Sequence, residues 1–211
     1  MGIAERRERE RDARRGAVLD AARTLLLERG FIGTTTKLIA ERCELSEATL
    51  FFYFRSKEEI LMSLLFEGID FWGRGLEKLG ALDLPREQLL ARIWKYFLEV
   101  RDAHPEYFFL STYLSHPRAT ADLAEDVKAE LVRRSGENFA RLTGLMEKAL
   151  GGANPRLAAE LLWASFLGLI TLRDARLNLG SRAHPTEREL SAVLSTLLNG
   201  LLETGDAGGK R

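Results

Sequence analysis

Apolar residues recur at helical spacing along nearly the whole chain, and this pattern constrains the fold more than any other feature. The segment 81–104 shows it, and no segment alternates as a half-buried strand does. Near the C-terminus the i, i+3, i+4, i+7 spacing is followed by Leu190, Val193, Leu194, Leu197, Leu198, Leu201 and Leu202. The sequence therefore predicts an all-α protein of about nine helices.

The prolines indicate where several of these helices begin. Proline suits the first helical turn, where no backbone N–H donor is needed. We therefore predict helices that start near Pro85, Pro105, Pro117, Pro155 and Pro185. The three histidines each precede one of these prolines, which favours helix ends over metal ligation. No spacing of His, Cys, Asp and Glu predicts a metal site, and no cofactor is expected.

Composition excludes several other classes of protein. With 211 residues, of which 45% are hydrophobic, the chain can bury a sizeable core. A single cysteine, Cys43, excludes an internal disulfide framework and fits a reducing compartment. The Arg/Glu-rich N-terminus has no apolar stretch behind it, and no apolar run approaches the length of a membrane span. We expect a cytoplasmic protein without a membrane partner.

Residues 15–61 predict three short helices and the start of a fourth. Gly30 is expected to end the first helix in the left-handed conformation. Thr34 and Thr35 supply N-cap hydroxyls for a second helix over roughly 36–43, and Ser46 caps a third over roughly 47–53. A capping box formed by Ser56 and Glu59 opens the fourth helix, at about 57–79.

The second and third of these helices have the apolar spacing that a helix-turn-helix requires. The residues concerned are Ile39, Ala40, Cys43, Leu45, Leu50 and Phe54. Leu50 and Phe54 lie four apart and share the inward face of the third helix, while Ala40 permits close approach. In such a pair the second helix can enter the major groove of DNA.

The wider string is more specific. G-F-I-G-T-T-T-K-L-I-A-E-R (Gly30–Arg42) continues into L-S-E-A-T-L-F-F-Y-F-R-S-K-E-E-I-L (Leu45–Leu61), which closely resembles the N-terminal domain of the tetracycline-repressor (TetR/AcrR-like) family of bacterial transcriptional regulators. The resemblance implies a DNA-binding domain over 1–57 and an effector-binding and dimerisation domain over 58–211. Contacts with operator DNA are implied for Thr36, Lys37, Glu47, Ala48, Thr49, Phe51, Phe52, Tyr53 and Lys57.

Two residues depart from the family's pattern. Glu44 stands in the turn where glycine is usual, and Phe51 replaces a tyrosine whose hydroxyl could donate to phosphate. Tyr53 offers a substitute hydroxyl. Phe52 lies almost opposite the inward-facing Leu50, so it either meets thymine methyls on the groove floor or folds over a neighbouring side chain.

Charge is divided unevenly between the two predicted domains. The whole chain has 31 basic and 31 acidic side chains, but residues 1–57 hold 12 against 9, leaving 19 against 22 in the remainder. Residues 1–57, the head of the protein, are therefore mildly basic, and the remainder is mildly acidic. The charged run Ala4–Arg15 either extends the first helix as a solvated face or forms a mobile arm that reaches DNA.

Residues 58–211 are rich in aromatic side chains from several predicted helices. Most are expected to be core, but the resemblance implies an apolar effector pocket, for which the candidates are Trp94, Phe97, Phe108, Tyr113, Phe139, Trp163 and Phe166. The helix from about 155 is apolar around most of its circumference and must be covered on both sides. Arg173 and Asp174 within it either anchor a polar ligand group or form an interface ion pair.

That helix and the 186–203 helix are together expected to form half of a four-helix bundle between two subunits, as the resemblance implies. The predicted dimer contacts are Leu161, Ala164, Ser165, Gly168, Leu172, Leu194, Leu197, Leu198 and Leu201. Two-fold symmetry would then place two recognition helices about one DNA turn apart. The expected function is a homodimeric repressor released from a palindromic operator by a small apolar effector.

Two other classes of function remain as alternatives. An all-α enzyme is disfavoured because no nucleophile elbow, HExxH, CxxC, Walker loop or dinucleotide fingerprint is present. A helical adaptor that binds protein through its three-helix head would show no affinity for duplex DNA, whereas a DNA-binding protein loses affinity steeply as salt rises.

Overall fold

The computed structural model describes residues 2–114, 120, 123–150, 154–181, 186, 188, 189, 192, 193 and 196. These residues form eight helices and no strand, so the predicted all-α class is confirmed. The helices are α1 (Ile3–Gly33), α2 (Thr36–Arg42), α3 (Glu47–Tyr53), α4 (Lys57–Gly80), α5 (Arg86–Ala103), α6 (Pro105–Tyr113), α7 (Glu125–Leu150) and α8 (Pro155–Asn178).

Local capping explains most of these boundaries. Helices begin at Pro105 and Pro155, and α5 begins directly after Pro85, as the prolines predict. The starts predicted at 117 and 185 lie outside the described residues. At the predicted ninth helix, Thr186 and Glu189 form the expected capping box, with N–H···O distances of 2.7 and 3.3 Å. Its interface candidates, Leu194, Leu197, Leu198 and Leu201, also lie outside the described residues.

The first helix agrees with one of the two predicted alternatives at its start and differs from the prediction at its end. It begins at Ile3, where the Gly2 N–H donates to Glu5 Oε2 at 3.0 Å, so the charged run extends the helix and is not a mobile arm. Gly30 does have positive φ, but its angles of 70° and −177° lie in an extended region that essentially only glycine enters, not in the left-handed helical region. One further helical turn follows it, to Gly33.

The chain divides into two compact units. One comprises Met1–Asp70 and His104–Leu131, and the other comprises Phe71–Ala103 and Val132–Arg211. Helices α4 and α7 each have residues in both units. The functional division at residue 57 remains a prediction.

The core of the first unit is the apolar face of α1 against the two short helices. Val18, Ala22 and Leu26 are fully buried on that face, and Ile39 of α2 and Leu50 of α3 are fully buried as well. This is the packing that the spacing of the two short helices predicts. It leaves the opposite side of α3 free to meet a ligand.

An ion-pair network joins α1 to α6 within the same unit. The guanidinium of Arg23 donates to Asp20 at 2.5 Å, to Glu67 at 2.6 Å and to Glu106 at 3.0 Å. The Glu106 side chain is wholly buried, and His104 Nδ1 lies 3.1 Å from the same carboxylate oxygen. Burial lowers the pKa of Arg23, but the three carboxylates outweigh it and leave that pKa raised.

The second unit contains an aromatic cluster formed by α4, α5 and α8. Trp72 lies 4.4 Å from Phe97 and 5.2 Å from Trp163, measured between ring centroids. Phe166 meets Phe97 and Trp94 edge to face at 5.1 and 5.3 Å. These are favourable aromatic geometries, so the cluster is a rigid, apolar centre for this unit.

Helix α8 leaves an apolar face uncovered. Leu161 is 42% exposed and Leu172 is 47% exposed, and Ala164 and Gly168 between them are also exposed. By length and composition α8 could cross a membrane, and 28% of its most apolar stretch is buried within the chain. The sequence holds no uninterrupted apolar run of that length here, because Arg173 and Asp174 fall within this helix.

Candidate nucleic-acid interface

The two short helices have the predicted bounds because each carries its own N-cap. The Thr35 hydroxyl accepts from the Leu38 N–H at 3.3 Å, and the Ser46 hydroxyl accepts from the Thr49 N–H at 3.1 Å. Between them the chain turns through Glu44, whose φ of 55° is left-handed. Glutamate thus occupies a conformation that favours glycine, at a cost of about 1 kcal/mol.

Most of the predicted DNA contacts on α2 and α3 lie on the surface. The exposed ones are Lys37, Glu47, Ala48, Thr49, Phe51 and Phe52, while Tyr53 is half-buried. Phe52 is 73% exposed, and its ring meets that of Tyr53 in a T-shaped contact at 5.4 Å between centroids. This exposure favours contact of Phe52 with thymine methyls on a groove floor over folding onto a neighbouring side chain, because the ring remains in solvent.

Thr36 and Glu47 contact each other across the helix pair. The Thr36 hydroxyl donates to Glu47 Oε2 at 2.9 Å, which links the first residue of α2 to the first residue of α3. This bond holds the two helix N-termini side by side, where backbone N–H groups favour anions. It also means that both side chains must exchange a partner if they are to contact DNA.

Lys57, the predicted phosphate ligand, has a partner within the chain. Its Nζ donates to the Phe31 carbonyl oxygen at 2.7 Å and lies 4.1 Å from the centre of the Phe31 ring. Burial lowers the pKa of Lys57, and the neighbouring Glu58 opposes this only in part. An ammonium group has three donors, so Lys57 can hold the end of α1 and still donate to a phosphate.

Arg15 positions the recognition helix, a role that the sequence did not reveal. One of its terminal nitrogens donates to the Tyr53 carbonyl at the end of α3, and its guanidinium lies 4.1 Å from the centre of the Phe54 ring. A cation at the C-terminus of a helix also interacts favourably with the helix dipole. The available signal was the position of Arg15, one turn before Val18 on the buried face of α1.

A groove of about 710 Å³ runs beside the end of α3. Arg11 and Arg15 of α1 line it together with Phe51, Phe52 and Tyr53 of α3. The exposed side of the recognition helix is therefore continuous with a basic part of α1.

The predicted effector-pocket residues are distributed over both units. Trp94, Phe97, Trp163 and Phe166 belong to the aromatic cluster of the second unit, where Phe139 is half-buried on α7. Two further candidates belong to the first unit. There Tyr113 stacks on Phe31 at 3.9 Å and Phe108 meets Tyr107 at 5.1 Å.

The adjacent charged residues Arg173 and Asp174 of α8 differ in their contacts. Asp174 Oδ1 accepts from Arg101 Nη2 at 3.0 Å, so its ion pair lies within the chain. Arg173 has a buried Nε with no hydrogen-bond partner in the described part of the chain. Trp94 Nε1 is a second buried donor in that situation.

Residues 18–64, which hold the helix pair and its flanking helices, match the family described as bacterial regulatory proteins, tetR family. Across 169 residues the chain is 30% identical to the HTH-type transcriptional regulator RutR of Escherichia coli strain K12, an alignment covering 76% of this chain and 75% of RutR. The chain belongs to the tetR family. The resemblance noted in the helix-turn-helix string is confirmed.

Solved structures of other regulators have the same fold. The MbdR regulator from Azoarcus sp. CIB is 18% identical with a TM-score of 0.66, over 87% of this chain and 95% of MbdR. The regulator FadR from Bacillus subtilis, in complex with stearoyl-CoA, is 17% identical with a TM-score of 0.61, over 88% of this chain and 96% of FadR. This tetR-family chain is a DNA-binding transcriptional regulator, as its relatives are, and is not an enzyme.

Proposed function

We propose that the protein is a cytoplasmic homodimeric repressor that leaves a palindromic operator when a small apolar effector binds. The exposed apolar face of α8 carries this proposal. A contiguous apolar surface of this kind is unusual on a monomer and favours a protein–protein contact. The charged residues Arg173 and Asp174 within α8 favour a partner subunit over a membrane as the cover for this helix.

The spacing of that face fits close packing with a second copy of the same helix. Leu157, Leu161, Ala164, Gly168 and Leu172 follow each other at intervals of three or four residues and are all exposed. Small residues at the centre of such a stripe let two backbones approach closely. A two-fold axis through it makes the interface self-complementary, as in most soluble homodimers.

In such a dimer each α3 would enter one major groove. Thr49 at the first turn of α3 offers a hydroxyl and a methyl group to base edges, and Phe52 offers an apolar surface to a thymine methyl. Lys37 and Lys57 would contact phosphates and fix the register of the helix. Half-sites about one DNA turn apart are expected to mirror the protein's symmetry.

The aromatic cluster of the second unit supports an apolar effector. Trp94, Phe97 and Phe166 are buried together beside the half-buried Trp163, so an effector that enters among them would meet apolar rings. Trp94 Nε1, which has no partner among the described residues, is a donor suited to one acceptor atom on a ligand. FadR, a neighbour in fold, is in complex with stearoyl-CoA, which has a long apolar chain. We propose a ligand for this chain with an apolar body and an oxygen acceptor.

The proposed signal passes along α4. This helix starts at Lys57 beside the head and ends at Gly80, after contributing Trp72 to the aromatic cluster. An effector that binds best to one tilt of α4 would shift the population toward that tilt and change the spacing of the two heads. It can do so only by binding the released conformation more tightly than the DNA-bound one.

Operator selection from a random duplex library tests this proposal. Wild-type protein should enrich an inverted repeat with half-sites about one turn apart. Thr49→Ala should enrich a sequence altered within each half-site, while the matched control Thr24→Ala, on α1, should enrich the wild-type sequence. A direct repeat or a single half-site would argue against the symmetric dimer, and failure to enrich any sequence would favour a protein-binding head.

Effector release is tested on the selected operator. Stearoyl-CoA and free stearate are the first probes, added to the preformed complex while fluorescence anisotropy reports bound DNA. An apolar effector should lower operator affinity by about tenfold or more, the usual range of allosteric coupling. Trp94→Phe should weaken the response to an oxygen-bearing effector while leaving operator affinity without effector unchanged.

A further inference from the structure

Four arginines share one face of the N-terminal half of α1. Arg7, Arg11, Arg14 and Arg15 lie at i, i+4, i+7 and i+8, which places them on one side of the helix. Glu5 and Asp12 point away from that side, while Glu8 and Glu10 lie along its two edges, beside Arg15 and Arg14. Arg7, Arg11 and Arg14 occupy the middle of this side, so a positive strip runs along the helix between the two flanking glutamates.

Three of these arginines have no acidic partner. Arg7, Arg11 and Arg14 are exposed, and no ion pair joins any of them to a described residue. The arginines on the other side of the same segment are engaged instead. Arg6 pairs with Glu10 at 3.4 Å, and Arg9 Nε donates to the Glu5 carbonyl at 3.3 Å.

The arginine face is continuous with the recognition helix. Arg15, at its inner end, donates to the Tyr53 carbonyl, and Arg11 lines the same groove as Phe51 and Phe52. From Arg15 to Arg7 the helix rises about 12 Å. Because duplex DNA carries one phosphate charge per about 1.7 Å of its axis, a stripe of that length can follow several phosphates.

We propose that Arg7, Arg11 and Arg14 form a phosphate-binding stripe that contacts the duplex backbone beside the groove occupied by α3. The stripe adds affinity without reading sequence, since arginine–phosphate contacts position a protein on DNA and base contacts specify the site. This inference rests on the proposed DNA-binding mode of the three-helix head. It goes beyond that mode because the stripe lies outside the helix-turn-helix and its flanking lysines.

The test compares two double variants of the full-length protein with equal charge. Arg7→Gln/Arg11→Gln removes two members of the stripe, whereas Arg6→Gln/Arg9→Gln removes two arginines from the opposite side of the same segment. Arginine and glutamine have similar helix propensity, so both variants should keep α1. Circular dichroism and the thermal midpoint check that they do.

Binding to a fluorescein-labelled mixed-sequence duplex of about 40 base pairs is measured by anisotropy over a series of NaCl concentrations. The stripe variant should lower the slope of log K against log[NaCl] by about two units per bound chain. The control variant should change that slope by less than about half a unit. Equal changes in both variants would mean only a general charge effect and would overturn the stripe, as would no change in either.

Failure of the stripe and failure of the proposed head can be told apart. A wild-type protein that binds no duplex at any salt concentration would overturn both. If wild-type protein binds with a steep salt dependence and Arg7→Gln/Arg11→Gln has the same slope of log K against log[NaCl], only the stripe is overturned.

Discussion

At the scale of single residues, the turn of the helix-turn-helix holds a measurable strain. Glu44 has left-handed φ, which costs an L-residue about 1 kcal/mol or more. Glu44→Gly should therefore be more stable than Glu44→Ala by about 1 kcal/mol, because alanine removes the carboxylate but keeps the strain. Urea denaturation of both variants measures the difference, and equal stabilities would show that the turn relaxes.

The two lysines proposed to bind phosphate should differ in what they contribute to stability. Lys57 is half-buried and bound to Phe31, whereas Lys37 is exposed. Both Lys57→Ala and Lys37→Ala should lower the salt slope of DNA binding by about one unit, since each removes one proposed phosphate contact. Only Lys57→Ala should also lose stability, by about 1 kcal/mol for the hydrogen bond to the Phe31 carbonyl.

The measurements are anisotropy for binding and thermal denaturation for stability. A Lys57→Ala protein with an unchanged salt slope would refute the phosphate role and leave Lys57 as a structural cap for α1. A Lys37→Ala protein with lowered stability would show that its surface position is not neutral.

At the scale of helices, local sequence signals predicted some boundaries and missed the contacts between elements. The bounds of α2 and α3 agree with prediction within a residue because Thr35 and Ser46 cap them through neighbours three positions away. The contact of Arg15 with Tyr53 joins residues 38 positions apart, and no local pattern specifies it. Helix caps and the helical spacing of apolar residues could therefore be predicted from the sequence. The long-range hydrogen bond that orients the recognition helix could not.

The role of a glycine in α4 could not be predicted from the local sequence either, because it depends on an aromatic ring far along the chain. A Cβ added at Gly75 would overlap the Tyr96 ring, whose hydroxyl donates to the Trp72 carbonyl at 3.1 Å. Burial raises the pKa of Tyr96 to about 12, so this hydroxyl stays protonated at neutral pH. Nothing lies within 4 Å of a Cβ added at Gly16 in α1.

Gly75→Ala should therefore destabilise the protein by about 1–3 kcal/mol through overpacking. Gly16→Ala is the matched control, and it should stabilise by about 1 kcal/mol because alanine favours a helix interior. Chemical denaturation measures both. A neutral Gly75→Ala would mean that Tyr96 moves aside at little cost.

The ion-pair network that joins α1 to α6 should be sensitive to which partner is removed. Arg23→Met would leave the wholly buried Glu106 carboxylate without its guanidinium, and one oxygen of that carboxylate already lacks a hydrogen-bond partner among the described residues. The expected loss is about 3–5 kcal/mol, the cost of an uncompensated buried charge. Glu67→Gln, which removes an exposed partner, should cost less than about 1 kcal/mol.

Thermal or chemical unfolding compares the two variants. If Arg23→Met and Glu67→Gln lost similar amounts, the network would act as a surface feature and α6 would be held to α1 by apolar packing alone. Glu106→Gln keeps the shape of the side chain and removes its charge. Added to Arg23→Met, it should restore much of the stability that Arg23→Met loses.

At the scale of the whole molecule, zero net charge conceals a division that matters for DNA binding. The excess of three positive charges in residues 1–57 offsets the deficit in the remainder. Total charge is therefore no guide to the partner, whereas the distribution of charge agrees with a DNA-binding head. Dimerisation would double the basic charge presented to one duplex.

The exposed face of α8 allows this doubling to be tested directly. Leu161→Glu places a charge within the proposed interface and should convert the dimer to monomer in sedimentation velocity. Val132→Glu is the matched control, since Val132 is an even more exposed apolar residue on another helix. Operator affinity should fall by about 100-fold or more in the Leu161 variant only, because each protomer reads one half-site. A monomeric variant that keeps full operator affinity would show that one head suffices and would overturn the symmetric dimer.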